Sequence, residues 1–190
     1  MSSVPADGGP AVERAGGLML DGAGGFLWEP AAERLPRKEL GELQLTRLRA
    51  TLQLAHERIP FFRQQLDEAG MGADGIGCHG DVLDLPFTAK ADLRDHYPFG
   101  MLALPRDEVV TVHCSSGTTG DPVVVGYSRA DVALWAALVA RTLAAGGIGP
   151  GDLLQNAFGY GLFTSGLGLH HGGELLGCTV LPISGGNTER

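Results

Sequence analysis

Between residues 152 and 183 a short apolar run, a longer run of helical character and a second apolar run follow one another, and that order restricts the fold more than any other feature. Two strands separated by a helix are not joined as a hairpin. The helix carries the chain back along the sheet, so the strands lie parallel with a right-handed crossover. The expected elements are a strand over 152–157, a helix over 162–176 and a strand over 179–183. A chain carrying such a unit is of the α/β class.

Upstream, Leu45, Leu48, Leu52, Ala55 and Ile59 recur at steps of three and four, which predicts an amphipathic helix from Arg37. Pro60 ends it, because a residue before proline avoids the helical region. A shorter helix is expected over 61–68, stopped by Gly70, then turns over 71–80 and a short helix over 90–96. Residues 108–114 and 122–127 are rich in β-branched side chains and read as two strands around a polar loop. Ser128, with Asp131 three residues on, reads as the cap of a helix that runs to Ala145 and stops at Gly146 and Gly147. Being apolar nearly all round, that helix is expected to be deeply buried. Residues 1–26 are mostly Gly, Ala, Pro and Ser without an apolar period, and read as a flexible tail before one folded body over 27–190.

With 44% hydrophobic and 19% charged residues the chain can bury a core. Its formal charge of −8 argues against nucleic acid as a partner, since phosphate backbones demand a concentrated basic face. A phosphorylated small molecule is still compatible, provided backbone amides cradle it. The apolar stretch 132–145 is broken by Arg141 and too short to span a bilayer, and no secretory leader is visible, so a soluble cytoplasmic protein is expected. Cys78, Cys114 and Cys178 are odd in number and widely spaced, which suggests reduced thiols. Cys78 beside His79 and His113 beside Cys114 do not make a metal site, because adjacent side chains diverge and no Cys-x-x-Cys pair exists.

The loop between the two β-branched runs carries the chemistry. Ser115, Ser116, Gly117, Thr118, Thr119 and Gly120 are all small, and four of the six bear hydroxyls. Glycines let a backbone approach an anion closely, and Ser and Thr hydroxyls add rotatable donors without bulk. Such a hairpin tip suits nucleotide phosphates, although a polar turn has the same composition. It is not a Walker A loop, which needs a Lys and an immediately following helix.

The order Ser-Ser-Gly-Thr-Thr-Gly-x-Pro over 115–122 closely resembles the phosphate-binding loop of the acyl-adenylate-forming enzymes. Other stretches resemble the amino-terminal region of phenylacetate–CoA ligases. They are Ile59-Pro60-Phe61-Phe62, Leu85-Pro86-Phe87-Thr88, Lys90 with Asp92-Leu93-Arg94, Tyr97-Pro98-Phe99-Gly100, and the segments 156–164 and 182–190. The resemblance implies the amino-terminal part of an adenylate-forming large domain, with a helical amino-terminal region and an incomplete parallel or mixed sheet. It also implies a two-step reaction with ATP, Mg²⁺ and coenzyme A as substrates and no prosthetic group: an aryl acid becomes an acyl-adenylate, then a thioester. By similarity, residues 115–120 hold the pyrophosphoryl end of ATP, and Phe158, Tyr160, Gly161 and Phe163 line the aryl-acid pocket. The family commonly has Lys where this chain has Asp121, and a carboxylate there repels phosphate unless it faces solvent. Often, too, the family has Tyr where Phe158 stands.

The resemblance places the catalytic lysine further along than any residue here; Lys38 and Lys90, the only two lysines, precede the loop. No catalytic residue is therefore expected within this chain, and no ligase activity from it alone. An α/β core left incomplete exposes a strand edge, so a homodimer or a complementing carboxy-terminal chain is a candidate partner. His170 and His171 diverge by about 100° on a helix, so at most one can face a site. His170 is expected to serve packing, and Lys90 and Arg94 to sit on a solvated face. Three functions stay open: a portion of an aryl-acid–CoA ligase, a non-catalytic remnant or binding module, or an adenylating enzyme for another carboxylic acid.

Overall fold

The computed structural model describes residues 19–20, 26–72, 74–115 and 122–186. The segment read from sequence as one body over 27–190 is built from two compact units: Met1–Arg34 with Asp131–Arg190, and Leu35–Ala130.

In the first unit, strands β1 (Met19–Leu20) and β2 (Phe26–Leu27) pair antiparallel, Met19 against Leu27 and Leu20 against Phe26. This corrects the tail expected over residues 1–26: Phe26 is only 9% exposed and joins the core. The rest of that tail lies outside the described residues. A short helix α1 (Pro30–Glu33), unforeseen from the sequence, follows.

The second unit opens on α2 (Arg37–Arg58) and α3 (Pro60–Glu68), meeting at the proline that the apolar pattern predicts. The carboxy-terminal part of the apolar stripe of α2 lies beside α3. Leu52, Ala55 and Ile59 line one apolar cavity of about 310 Å³ with Phe62, Leu66 and Leu85. Gly70, at φ +71°, closes α3; the Met71 N–H reaches back to the Leu66 carbonyl at 2.9 Å. That six-residue return is the Schellman ending, which a residue with a Cβ adopts only under strain. Arg49 of α2 then grips the following turn, donating to the carbonyls of Ile76 (2.7 Å) and Gly77 (2.6 Å).

Asp81, in a 3₁₀ turn over His79–Asp84, holds the same turn from the other side. It accepts the N–H groups of Gly77 (2.7 Å) and Cys78 (2.8 Å) and the Cys78 thiol (3.2 Å). The Cys78 backbone and thiol bonds, then the Gly77 bond, and last Arg49, hold its carboxyl below the ordinary carboxylate value. A depressed folded pKa gives stability that is present above the unfolded pKa and is lost as pH falls through the folded one. Acidification should thus loosen the 76–84 turn only below the normal Asp titration, and Asp81→Asn should abolish that acid step. A carboxyl titration by NMR checks this; a normal Asp81 midpoint would refute it.

Helix α4 (Lys90–Asp95) has Lys90 exposed at its start. Strands β3 (Thr111–Cys114) and β4 (Val124–Tyr127) then form an antiparallel pair, each shorter than the runs the composition predicts. The register runs from Thr111 opposite Tyr127 to Cys114 opposite Val124.

Helix α5 (Arg129–Ala145) returns the chain to the first unit. It buries Ala136, Ala140, Leu143 and Ala144, whereas Leu134 is 59% and Leu138 47% exposed. The expectation of burial all round is corrected: only the alanine-rich face is covered. Arg141 pairs with Glu29 and with Glu33 of α1. The helix ends as its two glycines predict, with Ile148 N–H on the Leu143 carbonyl at 3.1 Å and Gly147 at φ +87°.

Strands β5 (Leu153–Gln155) and β6 (Thr179–Leu181) pair in parallel through α6 (Thr164–Leu176), the topology that the element order demands. Helix α6 can lie this close to its neighbours because it is glycine-rich. A Cβ on Gly168 would fall 2.5 Å from the Trp135 ring, on Gly172 2.4 Å from Val139 Cγ1, and on Gly173 2.7 Å from Leu154. No helix among the described residues is long and apolar enough to cross a membrane.

Candidate functional site

The hairpin expected around the polar loop is present as a stem. Below the tip, Ser115 N–H donates to the Val123 carbonyl at 2.9 Å, and Val123 N–H donates to Ser115 Oγ at 3.1 Å. Ser115 therefore has its amide committed to the stem and keeps only its hydroxyl proton to offer an anion. Ser116, Gly117, Thr118, Thr119 and Gly120, together with Asp121, lie outside the described residues. In the same unit His113 is 2% exposed, its ring edge-on to Tyr127 with centroids 5.4 Å apart, so it fills the base of the stem.

The four residues of the expected aryl-acid pocket do converge. Phe158, Tyr160, Gly161 and Phe163 line one cavity of about 490 Å³ in the first unit, completed by Gly159, Ser165 and Ser184. Phe158 is 55% and Phe163 53% exposed, so their rings are open to a ligand rather than packed into the core. A Cβ at Gly159 or Gly161 would meet nothing within 4 Å, which leaves room beside the backbone for a flat ring. Ser165 and Ser184 supply the small polar groups. Ser184 has a φ of 59°, an uncommon value for a residue with a side chain.

Asn156, quoted in the sequence only as the first residue of a motif, organises this segment. It is 1% exposed at the end of β5. Its Nδ2 donates to Tyr160 Oη at 2.7 Å and to the Gly166 carbonyl at 2.8 Å, and its Oδ1 accepts from Phe158 N–H at 3.2 Å. Its backbone joins Leu181 and Ser184. One buried amide thus ties the strand end, the aromatic loop and the start of α6 together. The signal for it was a lone Asn between an apolar strand and a glycine-rich loop, where backbone groups need a side-chain partner.

His170 and His171 serve this packing. His170 Nδ1 lies 3.1 Å from Tyr160 Oη, while His170 Nε2 and His171 Nδ1 approach Glu174 at 3.3 and 3.9 Å. Burial, with a smaller contribution from Asp152, pushes the Cys178 thiol up, leaving it a poor nucleophile. Among the described residues no group of three or more His, Cys, Asp or Glu side chains could hold a metal ion.

Solved structures of 2-hydroxyisobutyryl-CoA ligase share this fold. An open conformation with 2-HIB-AMP and CoA superimposes with a TM-score of 0.78 at 32% identity, covering 86% of this chain and 39% of that one. The thioesterification-state structure also gives 0.78, at 34% identity, covering 86% and 35%. The fold is that of the amino-terminal part of an adenylate-forming CoA ligase. Sequence relatives narrow it further. Phenylacetate-coenzyme A ligase of Thermus thermophilus is 56% identical over 165 residues, 87% of this chain and 37% of the relative. Those of Aromatoleum evansii and Escherichia coli are each 51% identical, over 83% and 80% of this chain and 36% and 35% of their own lengths. The chain belongs to the phenylacetate–CoA ligase family. It spans little more than a third of the length of the curated relatives it matches, 34 to 37%. No family model matches the sequence.

Proposed function

We propose that this chain supplies two recognition elements of an ATP-dependent, AMP-forming aryl-acid–CoA ligase: the pyrophosphate-gripping loop and the wall of the acid pocket. The acid is a phenylacetate-like molecule, and ATP with Mg²⁺ and coenzyme A are its co-substrates. The observation that carries this reading is the convergence of Phe158, Tyr160, Gly161 and Phe163 on one cavity in which the Phe158 and Phe163 rings stay exposed. An apolar slot with a few polar groups is the usual receptor for a small aromatic acid.

In the loop, Ser115, Ser116, Gly117, Thr118, Thr119 and Gly120 hold the β- and γ-phosphates through amides and hydroxyls, Ser115 through its hydroxyl alone. Positioning and charge stabilisation are the main terms a protein can add to attack on the α-phosphorus. The chain's two lysines, Lys38 and Lys90, precede the loop, and the roles assigned to the loop and pocket residues are ones of recognition. The test is phenylacetate binding to this chain by titration calorimetry, paired with ATP–pyrophosphate exchange. Saturable phenylacetate binding without exchange is expected. Failure to bind any aryl acid would favour a non-catalytic remnant or an enzyme for another acid.

Asp121 sets the loop's charge. Replacing a carboxylate beside phosphate by an ammonium changes the local charge by two, so Asp121→Lys should tighten pyrophosphate binding about tenfold at low salt. An unchanged or weaker dissociation constant would show that the carboxylate faces away from the anion.

A further inference from the structure

The hydroxyl of Tyr160 belongs to a chain of polar contacts whose other members, Asn156, His170 and Glu174, are not among the cavity-lining residues. Asn156 Nδ2 donates to Tyr160 Oη at 2.7 Å, and Tyr160 Oη lies 3.1 Å from His170 Nδ1. On the far side of the ring His170 Nε2 lies 3.3 Å from the Glu174 carboxylate. An amide nitrogen can only donate, so the phenol oxygen is the acceptor in the first contact and its proton is available for the second. A carboxylate can only accept, which favours the imidazole proton on Nε2 and leaves Nδ1 as the acceptor. All the contacts then run in one direction, from Asn156 to Tyr160 to His170 to Glu174. His171, its ring centroid 5.9 Å from that of His170, approaches the same carboxylate at 3.9 Å, beyond hydrogen-bond range.

We propose that His170 is a positioning residue of the acid pocket: by taking the Tyr160 hydroxyl proton it commits the phenol to the protein, so that the cavity meets the Tyr160 ring. The consequence is specificity. A pocket walled by three aromatic rings, with its phenol already engaged, favours an arylacetate with a bare ring over one bearing a ring hydroxyl, whose own polar group would be buried without a partner. This rests on the aryl-acid reading of the cavity.

Two measurements on the 190-residue chain test it separately. Imidazole ¹⁵N resonances should show the His170 proton on Nε2 and Nδ1 as acceptor. Tyr160→Phe should shift the His170 Nδ1 resonance and leave His171 unmoved. A proton on Nδ1, or a His170 spectrum indifferent to Tyr160→Phe, overturns the proposal. Calorimetry with phenylacetate and para-hydroxyphenylacetate is the second. His170→Ala frees the phenol, and the preference for phenylacetate should fall about tenfold, the worth of one hydrogen bond. His170→Asn, whose Oδ1 can stand in for Nδ1, should restore it. If both acids bind but the ratio is the same in all three proteins, the positioning role falls while the pocket stands. If neither acid binds although the ¹⁵N signature is present, the aryl-acid reading falls and the Tyr160–His170 contact is upheld as a structural one.

Discussion

Gly172→Val will cost the unit containing residues 131–190 at least about 3 kcal/mol, seen as a fall of more than about 10 °C in its melting temperature. A Cβ at this position would stand 2.4 Å from Val139 Cγ1, 2.6 Å from Val139 Cβ and 3.1 Å from the Ala140 backbone nitrogen. Val139 is β-branched and holds one preferred rotamer in a helix, and a backbone nitrogen cannot step aside. The two helices must therefore separate, and the face of α5 that carries Ala140 and Ala144, both fully buried, loses its contacts. Glycine inside a helix ordinarily costs about 1 kcal/mol relative to alanine, so Gly172 is retained against its own propensity. Gly41 supplies the control. It sits within α2, and its added Cβ would meet only the His79 ring, at 3.5 Å, an ordinary contact. Gly41→Ala should accordingly stabilise by up to about 1 kcal/mol. Equal effects at the two positions, by thermal or urea unfolding, would contradict this account of the α5–α6 contact.

Asn156→Ala should destabilise the same unit by about 3 kcal/mol and abolish the aryl-acid binding proposed above. The change strips the partner from Phe158 N–H, and it removes one donor each from the Gly166 carbonyl and from Tyr160. Leaving a buried polar group unpaired costs about 1–3 kcal/mol, far more than the net worth of the bond when intact. Asn156→Asp keeps the shape and the acceptor but places a carboxylate against the Gly166 carbonyl, so it should fail similarly at neutral pH and recover in part when acidified. Amide exchange at Phe158 reads the effect directly. If Phe158 exchanges no faster in Asn156→Ala, the side chain does not hold the loop.

Much of the architecture was legible because local rules and tertiary context agree. The three- and four-residue spacing from Leu45 to Ile59 and the Pro60 stop yield α2 and α3, and element order alone yields the parallel β5–β6 pair. Glycine endings at Gly70 and Gly147 follow from left-handed geometry. What the sequence could not show depends on partners distant along the chain. Phe26 looks like the last residue of a flexible tail until it meets Ala140, Ala144 and Leu176. Leu134 and Leu138 look buried because α5 is apolar all round, yet composition does not tell which face a neighbour covers. At the candidate site, the aromatic residues were readable as a group. Asn156 was not, since a buried amide is defined by the carbonyls and hydroxyls that the fold brings to it.

The first unit is made of two pieces of sequence, Met1–Arg34 and Asp131–Arg190, with the whole of Leu35–Ala130 threaded between them. On a growing polypeptide this sets a schedule. Residues 35–130 form one continuous stretch of chain, whereas Phe26 waits for residues synthesised over a hundred positions later. Closing so long a loop is entropically slow, and an early apolar segment left waiting is open to wrong encounters. Maturation of the unit that holds the aromatic cavity is then the late event, and sheltering Phe26 until residues 131–190 have emerged would raise its yield.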